Sequence, residues 1–122
     1  MSTTATQKQA LGAYGERVAA RHLEQQGMVL LDHNWRCSEG ELDLVLRDGA
    51  ELVVCEVKTR STTAYGSPQE AVDAAKLERL SRLAERWLGD KGLRPPGVRI
   101  DRVAIMHTGH GAAVVEHVKG LL

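Results

Sequence analysis

The fold is decided by residues 41–58, ELDLVLRDGAELVVCEVK, in which two strand-like runs flank an Asp-Gly pair. An Asp-Gly pair between such runs is a strong hairpin signal, because a type I′ turn needs a positive φ at both central residues. With a two-residue Asp48-Gly49 loop, Arg47 should pair with Ala50. Asp43 should then lie opposite Val54.

The same register places acidic side chains on both arms of the hairpin. Side chains alternate along a strand, so one face should carry Glu41, Asp43, Glu56 and Lys58. Glu41 should lie opposite Glu56, and the apolar face should carry Leu42, Leu44, Leu46, Cys55 and Val57. Asp43 and Glu56 would be diagonal neighbours, with Cα atoms about 7–8 Å apart. Their carboxylates could therefore converge on one ion.

Clustered carboxylates are costly without a cation, because like charges opposed across a sheet destabilise it and raise each other's pKa. Magnesium accepts one or two carboxylates together with water and phosphate oxygens. A metal held there could polarise a phosphate, and Lys58 could position water or stabilise charge on the phosphate. The alternative is a surface hairpin with solvated charges, such as a Glu41–Lys58 pair. From the residues alone, both interpretations stay open.

Around the hairpin, the pattern predicts an α/β protein with the order α-β-β-β-α-β-β in one domain, residues 1–122. Residues 1–6 are expected to be a flexible tail. The first helix should end near Gln26, before Gly27, and a strand should start at Met28. Ser67-Pro68-Gln69-Glu70 has the residues of a capped helix start, and this helix should continue to about Leu88. The last two strands are predicted at residues 98–106 and 112–118, with a turn at residues 109–111.

The first helix offers one further acid. Gly12, Gly15 and Ala19 keep part of its buried face small, which would let it pack closely on the layer beneath. Glu16 falls at the edge of the apolar arc. From that position its carboxylate could reach a site that borders the core.

Composition excludes several classes of protein. The 122 residues are 43% hydrophobic and 26% charged, with 16 basic and 16 acidic side chains. No run approaches the roughly 18 apolar residues of a membrane span, and the N-terminus lacks the apolar core of a secretory signal, so we expect a cytoplasmic protein with no membrane partner. Cys37 and Cys55 are too few for a zinc site, and a disulfide between them is left open.

Basic residues near the hairpin could bind nucleic acid. The second helix carries a stripe of Arg79, Arg82 and Arg86, with Lys76 at its boundary, and such residues could contact phosphates. A solvated face offset by Glu78 and Glu85 explains the stripe equally well. Arg36 and Arg60 flank the acidic strands. Aromatic residues are only 3%, so stacking on single strands is disfavoured and duplex or branched DNA fits better.

Other polar residues are expected to be structural. His107 and His110 have no accompanying metal ligands, and His22 falls on the buried face of the first helix. Asp101 could support the site from the late strand, but a salt link with a nearby arginine is the preferred interpretation.

The ordered motifs resemble the small bacterial YraN-like family of predicted endonucleases. That family is similar to archaeal Holliday-junction resolvases and belongs with the PD-(D/E)xK restriction-endonuclease-like nucleases. The resemblance rests on Gly40–Val45 and Val53–Arg60, together with Gly15-Glu16, Ala19-Ala20, Asn34-x-Arg36, Gly66 and Arg99-Ile100-Asp101. Leu42 stands where the superfamily name has proline.

This resemblance implies a restriction-endonuclease-like fold, with a central mixed β-sheet and flanking helices, and a phosphodiester-cleaving centre that uses Mg²⁺ or Mn²⁺. Asp43 and Glu56 would be metal ligands, Lys58 the catalytic lysine, and Glu16 the acid from the first helix that completes the site. Glu41 would be an accessory acid. A homodimer is left open. The competing hypotheses are a nucleic-acid-binding protein that keeps the fold without cleavage, and a partner-binding subunit with a solvated acidic face.

Overall fold

Seven elements make up the fold, in the order predicted from the sequence. A computed structural model describes residues 5–60, 73–107 and 111–121. Its elements are α1 (Ala5–Gln25), β1 (Val29–Cys37), β2 (Gly40–Asp48), β3 (Glu51–Arg60), α2 (Ala74–Lys91), β4 (Val98–Met106) and β5 (Val114–Val118). The predicted tail, residues 1–6, is described only from Ala5, where the chain is already helical. The α-β-β-β-α-β-β order is confirmed.

One five-stranded sheet, in the order β1-β2-β3-β4-β5, forms the centre of the protein. Strands β3 and β4 are parallel and the other neighbours are antiparallel, since α2 provides the crossover that a parallel pair needs. Separate apolar clusters on the two sides of the sheet involve α1 and α2. A mixed sheet between two helices is consistent with the expected restriction-endonuclease-like fold.

Helix α1 packs closely on the sheet, as its small residues predict. Ala19 and Leu23 are completely buried. A Cβ added to Gly15 would collide with the Thr59 hydroxyl of β3, so glycine is required by this close approach. The contact fixes the position of the next residue, Glu16.

Helix α2 has both of its ends capped. Asp73 accepts a hydrogen bond from the Lys76 amide at the N-terminus, and Gly92, with φ 67°, ends the helix, as the left-handed C-terminal position favours. The helix therefore continues one turn beyond the predicted end at Leu88. Its predicted start at Ser67–Glu70, and Gly66 before it, lie outside the described residues.

The hairpin register predicted from the sequence is wrong by two residues. Asp48 pairs with Glu51, and Val45 rather than Asp43 lies opposite Val54. The loop is therefore Gly49-Ala50. Only Gly49 has a positive φ, 62°, as a type II′ turn requires, whereas type I′ would force positive φ on two residues. The Asp48 carboxylate accepts a hydrogen bond from Arg99 at 3.0 Å, a long-range contact that the local pattern does not contain.

A second correction concerns the alternation of β2. Leu42 packs in the cluster of α2, whereas Leu44 and Leu46 pack in the cluster of α1. The predicted common apolar face is therefore interrupted at Asp43. On β1, Asn34 lies between the residues that pair with Leu42 and Leu44 and has φ 51°. This irregularity aims Asp43 differently from a regular strand residue.

Two remaining expectations concern the whole chain. Within the described residues, no helix is long and apolar enough to cross a membrane. Both cysteines are free thiols, with Cys55 buried and Cys37 half-buried, so the disulfide that the sequence left open is not present. Burial raises the pKa of the Cys55 thiol well above its ordinary value.

Candidate active site

An acidic pocket of about 400 Å³ lies between the hairpin and α2. It contains three of the acids singled out in the sequence and two basic residues of α2. Its lining is Glu39, Gly40, Glu41, Asp43, Glu56, Lys76, Arg79 and Leu80. The structure therefore brings Asp43 and Glu56 to one cavity, although the register that predicted their proximity was wrong.

Asp43 lies where β2 separates from β3. The paired residues of the two strands end at Leu44 and Cys55, and beyond this point the Val57 amide donates to Asp43 Oδ2 at 2.9 Å. The carboxylate thus takes the place of a backbone acceptor. Burial raises its pKa, the Val57 hydrogen bond lowers it, and the charges of Glu41 and Glu56 raise it again. The net pKa is raised, so ionisation is less favourable at this position than for an aspartate in water.

Glu56 is held by a counter-ion from α2. Lys76 Nζ forms an ion pair with Glu56 Oε1, and the glutamate side chain is only 12% exposed. The other oxygen, Oε2, is buried and accepts no hydrogen bond within the described part of the chain. Buried carboxylate oxygens are normally hydrogen-bonded. An unpartnered oxygen beside Asp43 therefore leaves an acceptor position for a cation.

Glu16 approaches the same acids from α1. Burial raises its pKa, and the charges of Asp43 and Glu41 raise it further, while a hydrogen bond from Asn34 and the charge of His33 lower it. Its Oε2 is also buried and lacks a hydrogen-bond partner among residues 5–60, 73–107 and 111–121. It lines a neighbouring cavity and is not among the residues that line the acidic pocket.

Glu41 and Lys58 lie at the margins. Glu41 is exposed and accepts a hydrogen bond from Arg36 Nε at 2.8 Å, which occupies one of its oxygens. Lys58 is half-buried and follows Glu56 by two residues along a regular strand, so it projects from the same face. It is not among the residues that line the pocket.

The donor set fits a hard divalent cation that is only partly enclosed by protein. Among the described residues, no group of three or more His, Cys, Asp or Glu side chains is arranged to hold a metal ion. Asp43 and Glu56 are two of the four carboxylates that line the pocket, and Mg²⁺ is usually held by one or two carboxylates, with waters and substrate phosphates completing its octahedron. The unpartnered Glu56 oxygen is the observation that supports this fit.

Most of the basic residues predicted to bind nucleic acid are paired with acids. Three of them form ion pairs at 2.8–3.0 Å: Arg36 with Glu41, Arg82 with Glu78, and Arg86 with Glu39. Lys76 is paired with Glu56, and Arg79 lines the pocket. Arg60 is half-buried at the end of β3, where its carbonyl accepts from the His107 amide. The α2 stripe is thus largely neutralised by neighbouring carboxylates.

Asp101 has the structural role that the sequence favoured. It is completely buried and accepts two hydrogen bonds from Arg99, at 2.8 and 3.0 Å. His117 Nε2 lies 2.8 Å from Oδ2, and the Gly120 amide donates to Oδ1. Burial alone would raise its pKa, but these hydrogen bonds and the charge of Arg99 lower it below the ordinary value.

Sequence reasoning missed the main contact of Lys76. The helical pattern places it at the edge of a phosphate-binding stripe, whereas its ammonium neutralises Glu56. The two residues are 20 positions apart, on a helix and on a strand that meet only through tertiary packing. The one available signal was the position of Lys76 at the border of the apolar face of the helix.

Comparison with known proteins places most of the chain in one family. Residues 15–105 match uncharacterised protein family UPF0102. The chain is 60% identical over 120 residues to a UPF0102 protein of Nocardioides sp., covering 98% of this chain and 97% of that protein. It is 57% identical over 114 residues to one of Beutenbergia cavernae, covering 93% and 97%. A UPF0102 protein of Streptomyces coelicolor is 54% identical over 114 residues, covering 92% and 88%. None of these names describes an activity.

Proposed function

The chain belongs to uncharacterised protein family UPF0102, the YraN family, and we propose that it is a metal-dependent endonuclease that hydrolyses phosphodiester bonds in duplex or branched DNA. The observation that carries this proposal is the surplus of buried negative charge around Asp43 and Glu56. Sites that perturb pKa values by burial and like charge inside a cleft are candidates for catalysis. The resemblance of the motif residues to nucleases of the PD-(D/E)xK group supports the reaction class.

Asp43 and Glu56 would hold Mg²⁺ or Mn²⁺, with the unpartnered Glu56 oxygen as an available ligand atom. When bound, such an ion polarises a phosphate oxygen and lowers the pKa of an attacking water. The Val57 amide fixes the orientation of the Asp43 carboxylate, which reduces the reorganisation needed at the site. Glu16 and Glu41 add negative charge that favours a divalent ion over a monovalent one.

Two lysines then have separate roles. Lys76 neutralises Glu56 in the protein alone and would be released from this ion pair when a divalent cation takes the carboxylate. Its ammonium would then be free to contact a DNA phosphate at the rim of the pocket. Lys58, on the face of β3 that carries Glu56, would donate to a non-bridging phosphate oxygen and stabilise the negative charge that develops there.

A second candidate is a DNA-binding protein that does not cleave. The ion pair between Lys76 and Glu56 favours it, because the amine already supplies a cation to the carboxylate. The absence of a three-acid ligand group among the described residues also favours it. In this case DNA would bind with the same affinity whether or not Mg²⁺ is present.

Cleavage of a four-way junction, a flap, a linear duplex and single-stranded DNA with Mg²⁺ or Mn²⁺ separates the two candidates. Wild type should cut at least one of the double-stranded substrates. Asp43→Asn and Glu56→Gln keep the shape of each side chain but remove a charged ligand, so both should lose cleavage. The matched control is Glu85→Gln, which removes an exposed carboxylate from α2, and it should cut like wild type.

DNA binding is measured in parallel, with Ca²⁺ in place of Mg²⁺. Binding without cleavage of any substrate, unchanged by Asp43→Asn, would overturn the nuclease proposal in favour of the second candidate. Failure to bind any of the DNA substrates, with or without a divalent metal, would overturn both.

A further inference from the structure

A second cleft, of about 500 Å³, lies on the other side of the sheet between α1 and β5. Its lining is Tyr14, Arg17, Val18, Arg21, His22, Gln25 and Val115. Among the residues that the structure describes, the lining includes two arginines and a histidine but no aspartate or glutamate. The acidic pocket, by contrast, is lined by four carboxylates and two basic residues. A cleft with positive charge and no lining acid has the composition expected for binding anions.

The arginines of this cleft differ from those of α2. Arg17 and Arg21 are both exposed, and neither forms an ion pair or a side-chain hydrogen bond with another described residue. They lie one turn apart on α1, at positions i and i+4, where side chains share a face. Their charge is therefore available to a ligand, whereas Arg36, Arg82 and Arg86 are occupied by carboxylates.

The aromatic groups of the cleft are held in place by their neighbours. The ring of His22 meets the ring of His117 edge to face at 6.3 Å, and His117 is fixed in turn by buried Asp101. The ring of Tyr14 lies 5.0 Å from that of His107. The cleft thus combines two long, exposed arginine side chains with the rings of His22 and Tyr14, which their neighbours hold in place. Such side chains can contact the phosphates and sugars of a nucleic-acid backbone.

The cleft also adjoins the cavity that contains Glu16. Arg17 lines both this cleft and the neighbouring cavity that contains Glu16, and Glu16 is coupled electrostatically to Asp43.

We propose that the cleft formed by Arg17, Arg21 and His22 binds the phosphate backbone of DNA next to the site of cleavage. The proposal rests on the proposed function for the identity of the polyanion. It moves the main DNA contact to α1, away from the basic residues that the sequence offered, which were the α2 stripe, Arg36 and Arg60. We expect no base specificity, because the lining side chains can donate hydrogen bonds to phosphates but do not enter a groove to contact base edges.

The test is the salt dependence of binding to a short fluorescein-labelled duplex, followed by fluorescence anisotropy in Ca²⁺, so that cleavage does not enter the readout. The double variant Arg17→Gln/Arg21→Gln should bind several-fold more weakly. The slope of log K against log salt should fall by about one for each phosphate that is no longer neutralised, so by about two. The reduction in affinity should be the same for duplexes of different sequence.

The matched control is Arg47→Gln/Arg94→Gln, which removes two exposed arginines that line a different cavity near the hairpin turn. It should leave both affinity and slope unchanged. An unchanged affinity and slope in Arg17→Gln/Arg21→Gln would overturn the proposal, as would a weaker affinity with an unchanged slope or an equal reduction in the control. Cleavage assays on the same variants are scored separately, so a failed nuclease proposal is distinguishable from a failed cleft.

Discussion

Two aspartates in this small fold have opposite environments. Asp101 is completely buried and receives hydrogen bonds from Arg99, from His117 and from the Gly120 amide, and its pKa is lowered. Asp43 is half-buried and receives a hydrogen bond from the Val57 amide. Its neighbours are acids, and its pKa is raised.

In the proposed function, the difference separates charge that stabilises the fold from charge that would bind a metal ion. Around Asp101, a guanidinium, an imidazole and a backbone amide contact both oxygens of the carboxylate. No acceptor position of Asp101 is therefore left for a metal ion. Around Asp43, Lys76 is the ammonium that faces the acids, and oxygens of Glu16 and Glu56 remain without a donor among the described residues. Unsatisfied buried groups in a native protein call for an explanation such as a missing ion, and here that explanation is the proposed metal.

The largest expected effect comes from breaking the satisfied cluster. Arg99→Met should lower the free energy of unfolding by about 3–5 kcal/mol, because it leaves a buried carboxylate without its charged partner. Urea unfolding at neutral pH measures this change. Asp101 has a lowered pKa, so its stabilising contribution is present above the ordinary value of 3.8 and disappears as the pH falls through the lowered value. The difference between the two proteins should therefore shrink in acid.

Arg94→Met, at an exposed position, is the control for removal of a surface arginine. It should change the free energy of unfolding only slightly. A similar stability for all three proteins would mean that the Asp101 cluster contributes no more than an ordinary surface charge. The contrast with Asp43 would then fail.

Removing the counter-ion of the acidic pocket should have the next largest effect. Lys76→Met leaves Glu56, only 12% exposed, without its cation, and should cost about 1–3 kcal/mol. Thermal unfolding with and without Mn²⁺ measures it. Mn²⁺ should raise the midpoint of Lys76→Met more than that of wild type, since the ion no longer competes with an amine.

Lys119→Met, at an exposed position near the C-terminus, should show neither effect. An equal response of the two variants to Mn²⁺ would contradict the competition between Lys76 and a divalent ion for Glu56.

Asp43→Asn should have a smaller effect of the opposite sign. Without divalent metal it should stabilise the protein at neutral pH by up to about 1 kcal/mol, the size of one like-charge contact across a sheet. The pKa of Asp43 is raised on folding, so the cost of its charge appears as the pH rises above 3.8 and is absent below it. Urea unfolding at neutral and at acidic pH tests both parts, and a destabilised Asp43→Asn at neutral pH would contradict them.

The smallest effect is expected at the surface of α2. Arg82 and Glu78 form an exposed pair at 2.8 Å with i,i+4 spacing. Arg82→Gln should cost only about 0.3–0.5 kcal/mol, and the cost should vanish in high salt. A loss of stability as large as that of Lys76→Met would show that the exposed Arg82–Glu78 pair stabilises the fold as much as the less exposed Lys76–Glu56 pair.

The sequence predicts the parts of this comparison that depend on local pattern. Periodicity and turn residues predict the order of the elements, the presence of the hairpin, and the shared face of Glu56 and Lys58 on β3. The close packing of α1 followed from Gly15 and its small neighbours, and an arginine partner for Asp101 was expected.

The errors came from contacts between distant segments. The observed hairpin register differs from the predicted one because, of the two loop residues, only Gly49 takes a positive φ, and because the Asp48 carboxylate accepts a hydrogen bond from Arg99. The alternation of β2 is broken at Asp43, near the left-handed Asn34 on another strand. Lys76 meets Glu56 only after α2 has packed on the sheet. Such pairings depend on tertiary geometry, which the spacing of residues along one segment does not contain.

Uptake of Mn²⁺ in the presence of duplex DNA, followed by electron paramagnetic resonance, tests the central claim most directly. Wild type and Glu85→Gln should bind the ion with equal affinity. Asp43→Asn and Glu56→Gln should bind it at least about tenfold more weakly, since even changes around metal ligands cost that much. Equal Mn²⁺ affinity in all four proteins would contradict the account, because the acidic pocket would then not be a metal centre.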